Sequence, residues 1–401
     1  MISVQEALEL IKTATRDHGI EKLPLSKSIG RTLKEDWYTD RELPPYDRVS
    51  MDGIAINYSS FTTGQKEFRI DDIAPAGLAQ VSLTDPALCI EVMTGSILPI
   101  GCDTVIRYED VSIEDGMALI MIEDIKPKQN VHFKGSDLAK QSLIVKRNTV
   151  LSSAEIGIGA SIGKSECIVA KLPKVIIVST GDELVPITSD PLPHQIRRSN
   201  VHQLHAALNQ KNVLTDTDHL SDDKDIIREK LKEYLHNYDA IILSGGVSKG
   251  KFDFLPEVLA DLKVEKLFHK IKQRPGKPFW FGQYKNQCTI FALPGNPISS
   301  FLCLHKYFFY WLHCCLTGNI PESTMAILND DVIFKKDLDY FLEVKLNHNT
   351  NGQLLATPIK GNGSGDLSNL VKADAFIELP KNLTMFNKGQ AYPILRYRNM
   401  L

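Results

Sequence analysis

Three short segments of the chain place small and acidic residues where an anion could be held. They are Ser179-Thr180-Gly181-Asp182-Glu183, Ser244-Gly245-Gly246-Val247-Ser248-Lys249-Gly250 with Asp253 three residues on, and Leu293-Pro294-Gly295-Asn296-Pro297 ahead of Ser299 and Ser300. Small side chains let backbone N–H groups approach an anion closely, and a helix N-terminus adds partial positive charge, so the second and third segments suit a phosphate. Taken singly, a glycine loop of this kind is ordinary strand-to-helix turn chemistry; three on one sheet make phosphate binding the stronger reading. None fits GxxxxGK[ST] or GxGxxG, which disfavours a P-loop ATPase and a Rossmann dehydrogenase. Between the last two segments, Gln273-Arg274-Pro275-Gly276-Lys277-Pro278 is a rigid turn bearing two cations. Arg274 and Lys277 suit phosphate or oxyanion contact, with a solvated basic turn as the equal alternative.

Acidic residues recur beside glycine in Met51-Asp52-Gly53 and Gly135-Ser136-Asp137. With Glu183, Asp222 and Asp253 they make a carboxylate set suited to a hard cation such as Mg²⁺, although each Asp-Gly pair alone is turn chemistry. His132, His202 and His205 lack HxxxH spacing or a matching cysteine set, so a zinc site is not expected. Cys314 and Cys315 fall in an apolar helical stretch and read as core.

These loops need a scaffold. The chain has 401 residues, 43% apolar and 24% charged, which is ordinary globular usage and suggests two to four domains. Lys plus Arg is 46 and Asp plus Glu 49, a net charge of −3, which removes the electrostatic case for a nucleic-acid binder. Seven scattered cysteines without a CxxC pair fit a reduced, cytoplasmic setting. The opening MISVQEALELIKTATRDHG reads as an amphipathic helix capped by Ser3 and not as a signal peptide. Residues 301–316 are too short and too polar for a membrane span, so no membrane association is expected.

Along the chain, helix and extended segment give way near residue 41 to short β-branched runs separated by Gly, Pro and Asp, a β-rich region reaching to about 170. A short helix follows at SSAEIGIGASIG, with Ser152 or Ser153 as its cap. From Lys171 the texture changes to alternation: the apolar strand KVIIVST, helices at SNVHQLHAALNQK and DDKDIIREKLKEYL, the strand DAIILS, the helix FLPEVLADL, the strand TIFAL and the long apolar helix SSFLCLHKYFFYWLHCCL. Such alternation implies βαβ units and a parallel sheet covered on both faces. Beyond about 318 the alternation stops, and VIFKKDLDYFLEVKLNHN reads as hairpin material of a small β domain.

Seven motifs in order, PPYDRVSMDGIAI, MTGSILPIGCDTVIRYED, FKGSD, STGDEL, SGGVSKGKFDF, RPGKPFWFG and ALPGNPISS, resemble the molybdopterin molybdenumtransferases of the MoeA type, similar to the E domain of gephyrin. The resemblance implies an α/β-plus-β multidomain fold. Residues 1–40 and 141–170 would form a discontinuous, dimer-forming domain I, residues 41–140 a β-rich inserted domain II, 171–317 the α/β molybdopterin-binding domain III, and 318–401 a C-terminal β barrel. It further implies insertion of molybdate into adenylylated molybdopterin, with Mg²⁺-assisted hydrolysis and release of AMP. The catalytic carboxylates would be Asp52, Asp137, Glu183, Asp222 and Asp253, with Glu183 and Asp253 on the metal and Asp222 preferred over Asp223. Asp52 and Asp137 would close the cleft from a partner subunit of a homodimer. Substrate contacts would come from Thr94, from Ser179, Thr180, Gly181 and Asp182, from Ser244, Gly245, Gly246 and Ser248, from Arg274 and Lys277, and from Pro294, Gly295, Asn296 and Pro297. A transient contact with a molybdopterin adenylyltransferase is implied as well. The cationic turn departs from the family in carrying Arg274 where other members have Lys, which keeps the charge but changes its geometry. The rival reading is a non-catalytic molybdopterin-binding or scaffolding protein of the same fold; a different nucleotidyl transferase on the α/β domain is disfavoured by the flanking domains.

Overall fold

A computed structural model of the chain describes residues 1–246, 254–361, 363 and 365–398. The chain forms two compact units, one made of Met1–Lys22, Gly30–Lys34 and Ile168–Leu401, the other of Leu23–Ile29 and Glu35–Cys167.

The first unit opens with α1 (Val4–Thr13). Ser3 Oγ accepts from the Glu6 N–H at 3.2 Å while the Ser3 N–H donates to Glu6 at 2.7 Å, a capping box that fixes where the helix starts. The alternating region then runs β1 (Val175–Thr180), α2 (Ser199–Asn209), β2 (Thr215–Leu220), α3 (Lys224–Asn237), β3 (Ala240–Ser244), α4 (Leu255–Asp261), β4 (Glu265–His269), β5 (Gln273–Arg274), β6 (Trp280–Tyr284), β7 (Cys288–Leu293) and α5 (Pro297–Cys303). α5 continues through a π-helical turn, Leu304–Phe308, into α6 (Phe309–Thr317).

The sheet has the order β2-β1-β3-β7-β6-β4. Its first four strands are parallel, as the alternation predicts. β6 and β4 add antiparallel, so the sheet is mixed and not parallel throughout. The reason is local: Tyr284 pairs with Cys288, and Lys285 and Asn286 turn between them at φ 50° and 54°, the left-handed geometry of a tight hairpin. β2, which the apolar pattern does not announce, is an edge strand whose TDTDHL sequence buries only Leu220 fully.

Side chains alternate across the parallel strands, and each set meets its own helices. Val175, Ile177, Ala240, Ile242, Phe291 and Leu293 pack with α1, α2 and the helical run 297–317. Ile176, Val178, Ile241, Leu243, Ile290 and Ala292 pack with α3 and α4. Cys314 and Cys315 are buried among the first set.

The C-terminal part holds β8 (Thr324–Leu328), β9 (Asp339–His348), β10 (Leu354–Pro358), α7 (Leu367–Lys372), β11 (Ala375–Leu379) and β12 (Ala391–Arg396). The ring β9-β10-β8-β12-β11 closes on β9, giving the five-stranded barrel. The expected hairpin over 332–348 does not form. Val332–Ile333 pairs with Met385–Phe386, and β9 pairs with β10 and β11, because closure of the ring satisfies both edges of the long strand. β5 joins β9 in parallel, Gln273 beside Asp339 and Arg274 beside Tyr340, so a segment leaving the α/β sheet is hydrogen-bonded to the barrel.

The second unit is β-rich, as read from its sequence. Its six-stranded sheet runs Thr104–Arg107, Gly53–Ile56, Leu88–Val92, Glu67–Ala74, Met117–Ile120, Val111–Glu114. Its helix Ser153–Ser161 is capped by Ser152 in a second capping box with Glu155. Among the described residues no helix is long and apolar enough to cross a membrane.

Candidate active site

Because β2, β1, β3 and β7 are parallel, their carboxyl ends share one edge of the sheet. β1 leads through α2 to β2 on one side, and β2 leads through α3 to β3 on the other, so the winding reverses between β1 and β3, where open α/β sheets bind ligands. A cleft of about 500 Å³ lies here. Ser179, Thr180, Gly181 and Glu183 line it from the β1 loop, Asp222 from β2, Ser244, Gly245 and Gly246 from β3, and Pro294, Gly295, Asn296 and Pro297 from β7.

The starts of α2 and of the helical run from α5 also meet the cleft. Their N-cap residues, Arg198 and Asn296, make no side-chain cap to their own helices, so the first N–H groups and the positive ends of the dipoles are left for an anion. Arg197 and Arg198 add cations, and Asn200 ties two loops together: its Nδ2 donates to Ser244 Oγ at 3.0 Å and to Gly295 O at 2.7 Å. These residues were not singled out in the sequence, although Arg197-Arg198-Ser199-Asn200 directly ahead of an apolar helical run was the signal.

The cradle is shaped by missing side chains. Gly246 has φ +70°, and a Cβ there would stand 2.7 Å from Leu255 Cδ1 and 3.1 Å from Thr180 Oγ1. Thr180 is 6% exposed, and its hydroxyl has no hydrogen-bond partner among the described residues. A buried hydroxyl on the wall of a polar cleft calls for a ligand oxygen. Ser179 Oγ is 3.0 Å from His219 Nδ1. Burial first, then Arg198, holds that imidazole below its ordinary range, so it meets Ser179 as a neutral ring at neutral pH.

The acidic residues divide their tasks. Glu183 folds back over the backbone of Gly181, its carboxylate filling the space a side chain there would need. Asp182 is not in the cleft wall; its Oδ1 accepts the Asp222 N–H at 3.1 Å and so braces the β2 loop. Asp223 caps α3, accepting from the N–H groups of Asp225 at 2.9 Å and Ile226 at 3.0 Å, which leaves Asp222 as the cleft member of the pair. Ser248, Lys249 and Asp253 lie outside the described residues. Among the described residues no group of three or more His, Cys, Asp or Glu is arranged to hold a metal. The hard oxygens of Glu183, Asp222 and Thr180 nevertheless fit Mg²⁺, which takes one or two carboxylates and completes its shell with phosphate and water.

A second cleft, of about 980 Å³, shares Pro278, Pro294 and Asn296 with the first and extends to the barrel. Arg274 and Lys277 line it together with Lys336 and Lys360, which the sequence reading had not marked. Two acidic residues, Asp331 and Glu343, share the wall; burial, with Asp366 adding in the same direction, pushes the Glu343 carboxyl above its ordinary range. The wall is thus suited to an anion.

Asp52, Thr94 and Asp137 belong to the second unit. Asp52 Oδ1 accepts the Thr94 N–H at 2.5 Å, and this bond, with the Thr94 hydroxyl, holds the carboxyl below its usual range. Asp137 Oδ1 is 2.8 Å from His132 Nε2, and Arg48 Nη2 is 3.0 Å from His132 Nδ1. His132 is therefore a hydrogen-bonded link between a cation and a carboxylate.

Three family models match the chain: the MoeA N-terminal region (domain I and II) over residues 2–163, a probable molybdopterin binding domain over 176–313, and the MoeA C-terminal region (domain IV) over 325–396. The chain is 40% identical over 396 residues to a molybdopterin molybdenumtransferase of Synechocystis sp., covering 98% of this chain and 99% of that one. It is 29% identical to the protein of the same name from Bacillus subtilis, covering 99% of this chain and 94% of that one. Among solved structures, a molybdopterin biosynthesis MoeA protein from Pyrococcus horikoshii superposes with a TM-score of 0.83 at 26% identity, over 99% of this chain and all of that one.

Proposed function

The chain belongs to the MoeA family of molybdopterin molybdenumtransferases and is a transferase of molybdenum cofactor biosynthesis, and from that premise we propose how its two joined clefts divide the reaction. The substrate is adenylylated molybdopterin, and its pyrophosphate takes the switch-point cleft, where the β3 and β7 loops, the two helix starts and the Thr180 hydroxyl supply donors. Arg197 and Arg198 offset its charge. Molybdate takes the second cleft, against Arg274, Lys277, Lys336 and Lys360. The observation that carries this division is the shared wall at Pro278, Pro294 and Asn296, which lets one elongated ligand reach both.

In the hydrolytic step a water oxygen attacks the phosphoanhydride phosphorus, the bridging P–O bond breaks, and AMP leaves while the molybdopterin keeps its own phosphate. Glu183 and Asp253 would hold Mg²⁺, which when bound neutralises charge developing on the phosphoryl oxygens. The loop glycines and Asn200 keep the anhydride fixed, and Asp182 holds the β2 loop that carries Asp222. Asp222 completes the carboxylate set, and Asp52 and Asp137 of the partner subunit would close the cleft and act in catalysis. The enzyme works as a homodimer in the cytoplasm, where its seven buried, unpaired thiols stay reduced, and it receives its substrate by transient contact with a molybdopterin adenylyltransferase. Purified Glu183→Gln and Asp222→Asn proteins are expected to bind the adenylylated substrate yet release AMP at least about a hundredfold more slowly. Release at the unsubstituted rate in both would remove these carboxylates from the mechanism.

A further inference from the structure

Gln273 is completely buried directly beneath the turn that carries Arg274 and Lys277. A primary amide in that position must satisfy its own polar atoms, and each bond it makes ends on the turn or on the helix behind it. Nε2 donates to Pro275 O at 2.9 Å, and to Cys303 Sγ at 3.7 Å. Oε1 accepts from the Tyr307 hydroxyl. Cys303 Sγ in turn lies 3.9 Å from Gly276 O. Burial pushes both the Cys303 thiol and the Tyr307 phenol up, so the network is uncharged and the amide has one orientation, oxygen to Tyr307 and nitrogen to the turn.

The backbone closes the same knot. Ile271 N–H donates to Lys277 O at 3.0 Å, and β5 is pinned to β9 of the barrel. Gly276 has φ +88°, and a Cβ there would stand 2.6 Å from Gln273 Nε2 and 2.8 Å from Cys303 Sγ, so the turn sits as close to the network as atoms permit. Tyr307 lies in the π-helical turn between α5 and α6, where one wider turn changes which side chains face the loop. If Gln273 served packing alone, an apolar residue of its size would do the same without the cost of desolvating an amide.

We propose that Gln273, held by Tyr307 and Cys303, is the positioning residue that fixes the Arg274 and Lys277 side chains for a tetrahedral oxyanion in the second cleft. This rests on the reading that the two cations bind an oxyanion, so the test separates the two claims. The full-length protein is titrated calorimetrically with molybdate and, in a second arm, with inorganic pyrophosphate. Arg274→Ala and Lys277→Ala test the cations. Tyr307→Phe tests the network, as does the double variant Gln273→Leu with Tyr307→Phe, which removes both polar partners while keeping apolar volume. Melting temperatures are recorded for all.

The cation variants weaken at least one anion about tenfold or more, and Tyr307→Phe and the double variant weaken that same anion about three- to tenfold, Tyr307→Phe with a lowered melting temperature because it orphans the Gln273 oxygen and the double variant with a smaller change. In turnover, KM for molybdate, or for the adenylylated substrate where pyrophosphate is the anion weakened, rises in the network variants while kcat at saturation stays within about twofold of the unsubstituted enzyme. Loss for molybdate, for pyrophosphate or for both supports the inference and names the oxyanion. If the cation variants lose affinity while Tyr307→Phe and the double variant bind as the unsubstituted protein does, the positioning role is wrong and the cation reading stands. If Arg274→Ala and Lys277→Ala bind both anions unchanged, the reading beneath the inference fails, and the inference with it.

Discussion

Thr180 is the residue whose surroundings ask most plainly for a ligand, since its hydroxyl is buried in the cleft wall with no hydrogen-bond partner among the described residues. Thr180→Val keeps its shape and removes that hydroxyl. The variant should melt at or slightly above the normal temperature and bind adenylylated molybdopterin about tenfold more weakly, the worth of one hydrogen bond to a charged oxygen, about 1.5 kcal/mol. Equal affinity in equilibrium binding would show that the hydroxyl does not meet the ligand. Glu343 gives the second prediction at this scale. It lines the same cleft as Arg274 and Lys277, and burial, with Asp366 adding in the same direction, holds its carboxyl above the ordinary range, so part of it is protonated at pH values where an exposed glutamate is fully ionised. As pH rises through that raised value the group ionises, the second cleft loses positive charge, and molybdate affinity falls. Glu343→Gln should flatten this decline, and a Kd–pH profile in which the decline persists would exclude Glu343 as its source. Much of the cleft was legible as residues: the Thr-Gly-Asp, Gly-Gly and Pro-Gly-Asn loops meet there because chemistry on loops is written in side-chain type. Arg198 and Asn200 were not, because their place in the cleft depends on where α2 begins.

At the scale of elements, apolar periodicity located the helices and central strands, and Ser3 and Ser152 gave their caps away by the Glu three residues on. What periodicity could not show was pairing. β2 is an edge strand and lacks an apolar run; β6 and β4 join the sheet through a Lys-Asn turn with no composition cue beyond two positive-φ residues; and Asp339–His348 pairs with the next strand, Leu354–Pro358, and with the more distant Ala375–Leu379, while Val332–Ile333 pairs with Met385–Phe386. The Asp222-Asp223 pair was ambiguous for the same reason, since a carboxylate at a helix start can either cap it or face outward. Asp223 caps α3 with two N–H bonds. Asp223→Ala should therefore lower stability by about 1 kcal/mol in denaturant unfolding, with little effect on substrate affinity. An affinity loss without a stability loss would reverse the assignment of the two residues.

At the scale of the whole molecule, the N-terminal segment is fastened to the α/β sheet at Asp239, beside the start of β3. Arg16 pairs with Asp239, His18 Nδ1 stands 3.6 Å from it, and the Lys174 N–H donates to it at 2.8 Å. Burial alone would raise this carboxyl, but those partners outweigh it and bring it from 3.8 down to about 2. A depressed carboxyl stabilises the fold above its unfolded pKa, and the contribution is lost as pH falls toward the folded value. The pair should supply about 2 kcal/mol at neutral pH that disappears between about pH 4 and 2. Urea unfolding should show Asp239→Asn less stable than the unsubstituted protein at pH 7 and closely matched near pH 2; a gap of the same size at both would show that the loss is not electrostatic. We propose that the enzyme joins molybdate insertion to cleavage of a phosphoanhydride and is not a scaffold that only holds its ligand. The direct test is AMP release from adenylylated molybdopterin with molybdate and Mg²⁺, read beside activation of a cofactor-free molybdoenzyme. Molybdate-dependent AMP release that activates the acceptor is the predicted result, and tight binding of the substrate with no AMP under any divalent metal would contradict it.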